Sequence, residues 1–241
     1  RDPQIIKSIL ADYYGLISHL DAKVGEIIRT LKEKGLYENT IIVYAADNGL
    51  ALGSHGLIGK QNLYEHSMNV PFIIAGPGVP EGKISDALVY LLDIYPTLTG
   101  LAHIPFPEGT DGENLVPVIT RESKEVRSSL FTAYRNTVRA VRTKEWKLIR
   151  YPELDKTQLF NLANDPLETD NLAEDETFAG KTEALLEIMK KWQQSTGDTV
   201  PLTAREIKPS DYDYRKLVRK PDRWQPEYTL KKYFGQDGQE D

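Results

Sequence analysis

No cysteine occurs among the 241 residues. Disulfides, zinc–thiolate centres and any cysteine-derived nucleophile within these residues are therefore excluded, while the redox compartment is left open. Long apolar runs are missing as well: no stretch approaches the roughly 18 residues of a membrane-spanning helix, and no basic segment followed by an apolar one opens the chain. Nothing here anchors or exports the protein. The first residue is Arg1 rather than Met, so the start is expected to be a product of processing or truncation, with room for an export signal upstream. A basic excess is also lacking, with 30 Lys and Arg against 36 Asp and Glu and a formal net charge of -6. That balance argues against a general nucleic-acid binder, whose phosphate contacts need a concentrated basic surface, and favours small-molecule or glycan substrates.

The 40% of hydrophobic residues suffice for a real core, in one large α/β domain or one core plus a small subdomain. From Pro3 to Lys34 the positions Ile5, Ile9, Leu16, Leu20, Val24, Ile27 and Leu31 recur at helical spacing, which predicts one long amphipathic helix closed by Gly35. Ile41 to Ala46 is β-branched and almost wholly apolar and reads as a buried strand of a parallel sheet. A second apolar strand is expected at Val70 to Ala75. The segment from Asp47 to Asn69 between them is polar and glycine-rich. Loops of that length inside compact domains are usually functional or disordered, and ligands of open α/β sheets bind at strand C-terminal ends. Asp86 to Leu101 predicts a short strand and then a helix broken by Pro96.

Four short β-type runs follow, at Leu130–Tyr134, Val138–Thr143, Trp146–Tyr151 and Gln158–Phe160, and their spacing predicts a small antiparallel sheet. Phe178, Leu185, Leu186, Met189 and Trp192 mark an amphipathic helix that would cover one of its faces. Three regions result: 1–120 as part of an α/β catalytic domain, 121–200 as a small α+β subdomain, and 201–241 as an extended, basic and aromatic tail wrapping the body.

Chemistry concentrates in the long loop. Asp47-Asn48-Gly49 stands where an apolar strand stops, and its carboxylate and carboxamide offer two hard oxygens of the kind Ca²⁺ or Mg²⁺ takes. The same tripeptide is common turn chemistry. Thirteen residues after Asp47 comes Lys60, within a run that also holds His55 and His66. A metal-binding mouth with two imidazoles and an ammonium suits an anion. The plain alternatives are a solvated loop lysine, a loop-bracing His55, and a His66 hydrogen-bonded by Tyr64 or Glu65 in a packed turn. His19 and His103 read as structural.

Asp47-Asn48-Gly49, Gly53-Ser54-His55-Gly56-Leu57 with Lys60, and Tyr64-Glu65 before Val70-Pro71 resemble second-half motifs of the type I sulfatases, members of the alkaline-phosphatase-like superfamily. The likeness continues through Tyr13-Tyr14, Asp21 and Gly25, Gly76-Pro77-Gly78, Asp93-Ile94-Tyr95-Pro96-Thr97, Asp111-Gly112, Leu159-Phe160-Asn161-Leu162, and Asp165-Pro166 with Asn171-Leu172. It spans roughly residues 10 to 195. The resemblance implies an alkaline-phosphatase-like mixed or parallel sheet flanked by helices. It also implies a calcium-bound sulfate ester attacked by a formylglycine made from Cys or Ser. By position Asp47 and Asn48 would be metal ligands, Lys60 a sulfate contact, and His55 a substrate contact and proton donor, with His66 a weaker substrate-binding candidate. A periplasmic or secreted location is implied in the same way.

One departure is decisive for activity. No Cys is present and no serine sits in a Ser-x-Pro/Ala-x-Arg arrangement, so these residues lack the nucleophile, together with the tandem acidic ligands of the family's N-terminal part. The expectation is a C-terminal half that is inactive alone and partnered by the missing N-terminal half. Two other readings stay open: a phosphoesterase or phosphonate hydrolase of the same superfamily, and a non-catalytic module that binds sulfated glycans.

Overall fold

The computed structural model describes residues 3–106 and 109–209, with 227, 230 and 231. Residues 1–207 form one compact unit and 208–241 a second. The boundary expected near 120 is internal to the first unit, and the expected wrapping tail lies largely outside the described residues.

Helix α1 (Pro3–Glu33) follows its apolar periodicity. It ends where Gly35 takes a left-handed φ of 67°, so that Leu36 N–H reaches Leu31 O at 2.9 Å and Gly35 N–H reaches Lys32 O at 3.0 Å, a glycine-closed helix end. None of its residues is buried; Leu16 is 68% and Ile27 62% exposed, so the stripe that patterns the helix faces outward among the described residues.

Strand β1 (Ile42–Ala45) pairs antiparallel with β2 (Phe72–Ala75), with Ile42 opposite Ala75 and Ala45 opposite Phe72. The expected parallel partner is therefore replaced by an antiparallel one, and the two strands are half-buried, with Ile73 exposed, rather than buried. An apolar β-branched run identifies a strand, but composition carries no information about its neighbour's direction. The strand expected before residue 91 is absent. Two single-turn helices, α2 (Glu65–Met68) and α4 (Val116–Ile119), lie on either side in sequence of helix α3 (Ile94–Leu101), which is not broken at Pro96, because Pro96 is its third residue and the N–H it lacks is one that a first turn leaves unpaired.

The C-terminal sheet follows the predicted runs closely. β3 (Leu130–Tyr134), β4 (Val138–Arg142), β5 (Trp146–Tyr151) and β6 (Lys156–Asn161) form an antiparallel meander in chain order. Period-two alternation sends side chains to two faces. Val141, Leu148 and Leu159 pack against Leu185 and Met189 of α5 (Ala179–Thr196), the predicted cover. Ala140, Ile149 and Phe160 pack on the opposite face against Leu63 and Tyr64. That second contact seats the long loop from Asp47 to Asn69 on the sheet.

Candidate active site

The loop folds back on itself through Ala51 N–H to Gly59 O, Leu52 N–H to Ile58 O and Gly53 N–H to Leu57 O, at 3.2, 3.3 and 2.7 Å. Its ends therefore meet, which brings Lys60 beside Asn48 despite the separation in sequence. Lys60 Nζ donates to Asn48 Oδ1 at 2.7 Å and lies 3.9 Å from Asp47 Oδ2. The Asp47 side chain is 83% and Lys60 48% exposed, so the cluster opens to solvent. Gly49 anchors the other side: its N–H bonds Ser67 O at 3.0 Å, and a Cβ there would stand 2.0 Å from His66 O. Close backbone approach, rather than turn geometry, requires this glycine.

His55 and His66 fall into a second grouping. The His55 ring stacks on Tyr64 with centroids 3.9 Å apart and planes 7° from parallel, and its Nε2 lies 3.1 Å from Leu167 O. A carbonyl only accepts, so Nε2 is the donor in that bond and Nδ1 is the nitrogen left for other partners. His66 lies 5.5 Å from His55 between ring centroids, and its buried Nε2 has no hydrogen-bond partner among the described residues. Burial, with the nearby His55 and Lys147, lowers its pKa. The packed-turn alternative, with Tyr64 or Glu65 bonding His66, is not what the structure contains. His55 at φ 51° and Glu168 at φ 57° both adopt left-handed backbone, a strain of about 1–3 kcal/mol each for residues with a Cβ.

Beneath these groups runs an ionic cluster that the sequence reading did not single out. Lys147 of β5, 2% exposed, lies 2.9 Å from Glu65 Oε1 and 2.9 Å from Glu168 Oε1. The first contact is a hydrogen bond; the second is an ion pair without hydrogen-bond alignment. Arg142 of β4 adds 3.2 Å contacts to both Glu65 oxygens, and Glu65 N–H donates to Glu168 Oε2 at 2.6 Å. Burial works to raise the Glu65 pKa, but the charges of Lys147 and Arg142 bring it below the usual range. Burial dominates at Glu168 and raises its pKa despite Lys147. The available signal was a lysine at an inward position of an alternating strand, Trp146-Lys147-Leu148-Ile149.

A cavity of about 600 Å³ opens beside Asp47 and Glu65 and reaches Tyr90 and Lys144. Its cations are engaged, Arg142 and Lys147 with Glu65, and Lys144 with Asp86 at 3.2 Å and Glu125 at 3.9 Å.

For a divalent cation the described residues supply a share of a shell. Asp47 and Asn48 present two hard oxygens side by side, where Ca²⁺ takes six to eight, and no cluster of three or more His, Cys, Asp or Glu side chains suited to a metal occurs among the described residues. The donor chemistry fits, and the Lys60 ammonium already occupies the cation-attracting position between them.

The exposed oxygen–ammonium cluster follows the C-terminal end of β1, the place where α/β proteins bind ligands, and its groups suit a charged one. Known proteins narrow this further. The sulfatase family model matches residues 1–104, and the model described as "N-sulphoglucosamine sulphohydrolase, C-terminal" matches residues 53–195. The chain belongs to the sulfatase family. Choline-sulfatase of Rhizobium meliloti (strain 1021) is 41% identical over 169 residues, covering 67% of this chain and 32% of that protein. Among solved structures, one determined in complex with its substrate D-glucosamine-2-N,6-O-disulfate matches at TM-score 0.70 and 27% identity, covering 77% of this chain and 40% of that one. The phosphonate monoester hydrolase of Silicibacter pomeroyi matches at TM-score 0.72 and 26% identity, covering 81% and 42%. The chain thus shares the alkaline-phosphatase-like fold of these neighbours and spans about a third of the length of the curated relatives it matches. No helix among the described residues is long and apolar enough to cross a membrane.

Proposed function

We propose that this chain supplies the C-terminal share of the active site of a sulfuric ester hydrolase. Asp47 and Asn48 would hold a divalent cation, Ca²⁺ or Mg²⁺, Lys60 would bind sulfate oxygens, and His55 and His66 would line the substrate side. The observation that carries this reading is the 2.7 Å contact between Lys60 Nζ and Asn48 Oδ1 with Asp47 3.9 Å away, in a chain whose family acts on sulfate esters.

The chemistry follows from charge. Sulfuryl transfer builds negative charge on the sulfuryl and leaving oxygens, and a cation bound by Asp47 and Asn48 would supply electrostatic stabilisation there. Lys60, on its flexible stem, swings from Asn48 to a sulfate oxygen and neutralises part of that charge. His55, with Nε2 held by the Leu167 carbonyl, has Nδ1 as the nitrogen that would pass a proton to a leaving alcohol. His66, its pKa lowered, stays neutral at pH 7 and contributes shape. Because these 241 residues hold no Cys and no Ser in the required arrangement, the nucleophile, a formylglycine, belongs to a separate N-terminal segment. On this reading these residues alone would not turn over a sulfate ester.

The test is turnover of an aryl sulfate by the whole protein, abolished in Lys60→Ala and in Asp47→Ala. Tight binding of sulfated glycan without turnover would replace the hydrolase with a binding module. The likeness to a phosphonate monoester hydrolase supports a second reading, phosphonate or phosphate ester hydrolysis on the same residues. Comparing aryl sulfate with aryl phosphonate as substrates separates the two.

A further inference from the structure

We propose that Lys147 is a positioning residue for His55, acting through two arms that each end one residue away from a contact His55 makes. The inference deepens the hydrolase reading and rests on it for the role of His55 at the substrate. One arm runs from Lys147 Nζ to Glu65 Oε1 at 2.9 Å; Glu65 follows Tyr64, whose ring lies flat against the His55 imidazole. The other runs from Lys147 Nζ to Glu168 Oε1 at 2.9 Å; Glu168 follows Leu167, whose carbonyl accepts the hydrogen bond from His55 Nε2. The Glu65 N–H to Glu168 Oε2 bond, 2.6 Å, ties the arms together.

The base of the device is rigid. Lys147 sits on β5, an inner strand of the four-stranded sheet, whose far face is clamped by Leu185 and Met189. The working end is exposed, since His55 is on the surface in a left-handed conformation that its surroundings must maintain. Ring plane and protonated nitrogen are therefore set from two sides, by Tyr64 and by Leu167. Each side is held by a carboxylate on one ammonium. Remove that ammonium and Glu65 and Glu168 become neighbouring buried carboxylates, with only Arg142 left against Glu65; like charges in a poorly solvated site repel, and the loop segments carrying Tyr64 and Leu167 move apart. Apolar side chains in place of the whole Glu65–Lys147–Glu168 cluster would stabilise the core as well as or better than the buried charges do, so buried charge at this position points to geometry rather than stability.

The experiment is long-range ¹H–¹⁵N NMR of the histidine imidazoles in the whole protein, with His55 assigned by its disappearance in His55→Gln. In the native protein His55 gives a single Nε2–H tautomer. In Lys147→Met, and in the double variant Lys147→Met/Glu168→Gln, His55 is expected to become a mixture of tautomers. The double variant leaves Glu65 paired with Arg142 and no carboxylate unpaired, so it remains folded where the single variant fails. Aryl sulfate kcat should fall by about 10- to 100-fold in the same variants, the loss typical of removing a group that orients a reactive side chain, with KM within about twofold. A folded variant that melts earlier but keeps the native His55 tautomer overturns the proposal and leaves Lys147 a brace of the fold. If the native protein hydrolyses no sulfate ester, the hydrolase reading fails, while the imidazole spectra still decide the positioning role.

Discussion

Arg127 grips Asp93 with both ends of its guanidinium, Nη1 to Oδ2 at 2.6 Å and Nη2 to Oδ1 at 2.7 Å, and the Asp93 carboxylate is wholly buried. The same carboxylate accepts Tyr90 N–H at 2.7 Å and Glu113 N–H at 2.8 Å, so one side chain ties the start of α3 to two loops. Breaking a buried pair by removing one partner strands the other charge. Arg127→Met is expected to destabilise by about 3–5 kcal/mol, whereas the double variant Arg127→Met/Asp93→Asn should recover part of the loss. Urea denaturation of the three proteins measures this.

Gly49→Ala is expected to disturb the site without touching a reactive group. The added methyl would fall 2.0 Å from the His66 carbonyl, a backbone atom that cannot swing aside, so the Asp47–Asn48 pair must shift away from α2 (Glu65–Met68). A shift near 1 Å at a catalytic group costs up to about 100-fold in rate. Aryl sulfate turnover in the whole protein, with circular dichroism unchanged, is the readout.

A cation held by Asp47 and Asn48 would compete with Lys60 for the same oxygens. Lys60→Met removes an ammonium 2.7 Å from Asn48 Oδ1, and repulsion between like charges about 4 Å apart in water is about 1 kcal/mol. Affinity for Tb³⁺, read by sensitised luminescence, should therefore rise by about fivefold or more, since the repulsion scales with the charge of the ion, while turnover is lost. A fall in Tb³⁺ affinity would remove Asp47 and Asn48 from the ligand set.

Acid should weaken the fold through Asp198. Hydrogen bonds from Arg139, at 2.7 and 2.9 Å, hold its carboxyl well below the usual carboxylate range, despite an opposing effect of burial. A depressed folded-state pKa means that the unfolded chain takes up the proton first, so this contribution is complete above about pH 4 and is lost as pH falls further. Asp198→Asn is expected to lower stability at pH 7 and to flatten its decline below pH 4, as measured by thermal melts across that range.

The elements legible in the sequence were those with a local physical signature. Apolar positions at helical spacing located α1 and α5, alternation located the four strands of the C-terminal sheet, and glycine marked the end of α1. Asp47, Asn48 and Lys60 stood out because hard oxygens and an ammonium share one glycine-rich loop. The Glu65–Lys147–Glu168 cluster did not, since its members lie 82 and 21 residues apart in sequence, counting from Glu65 to Lys147 and from Lys147 to Glu168. Each taken singly looks like an ordinary surface charge.

Residue order by itself determined helices α1 and α5, the places of the six strands, the absence of a cysteine nucleophile and the composition of the loop, because each depends on side-chain type and short-range spacing. Only the tertiary structure decided that β1 pairs antiparallel with β2, that Lys60 returns to Asn48 through the 51–59 backbone bonds, and that Lys147 stands under both supports of His55. Strand direction, loop closure and burial of charge are set by contacts between distant segments, and their energies exist only once the chain has brought those segments together.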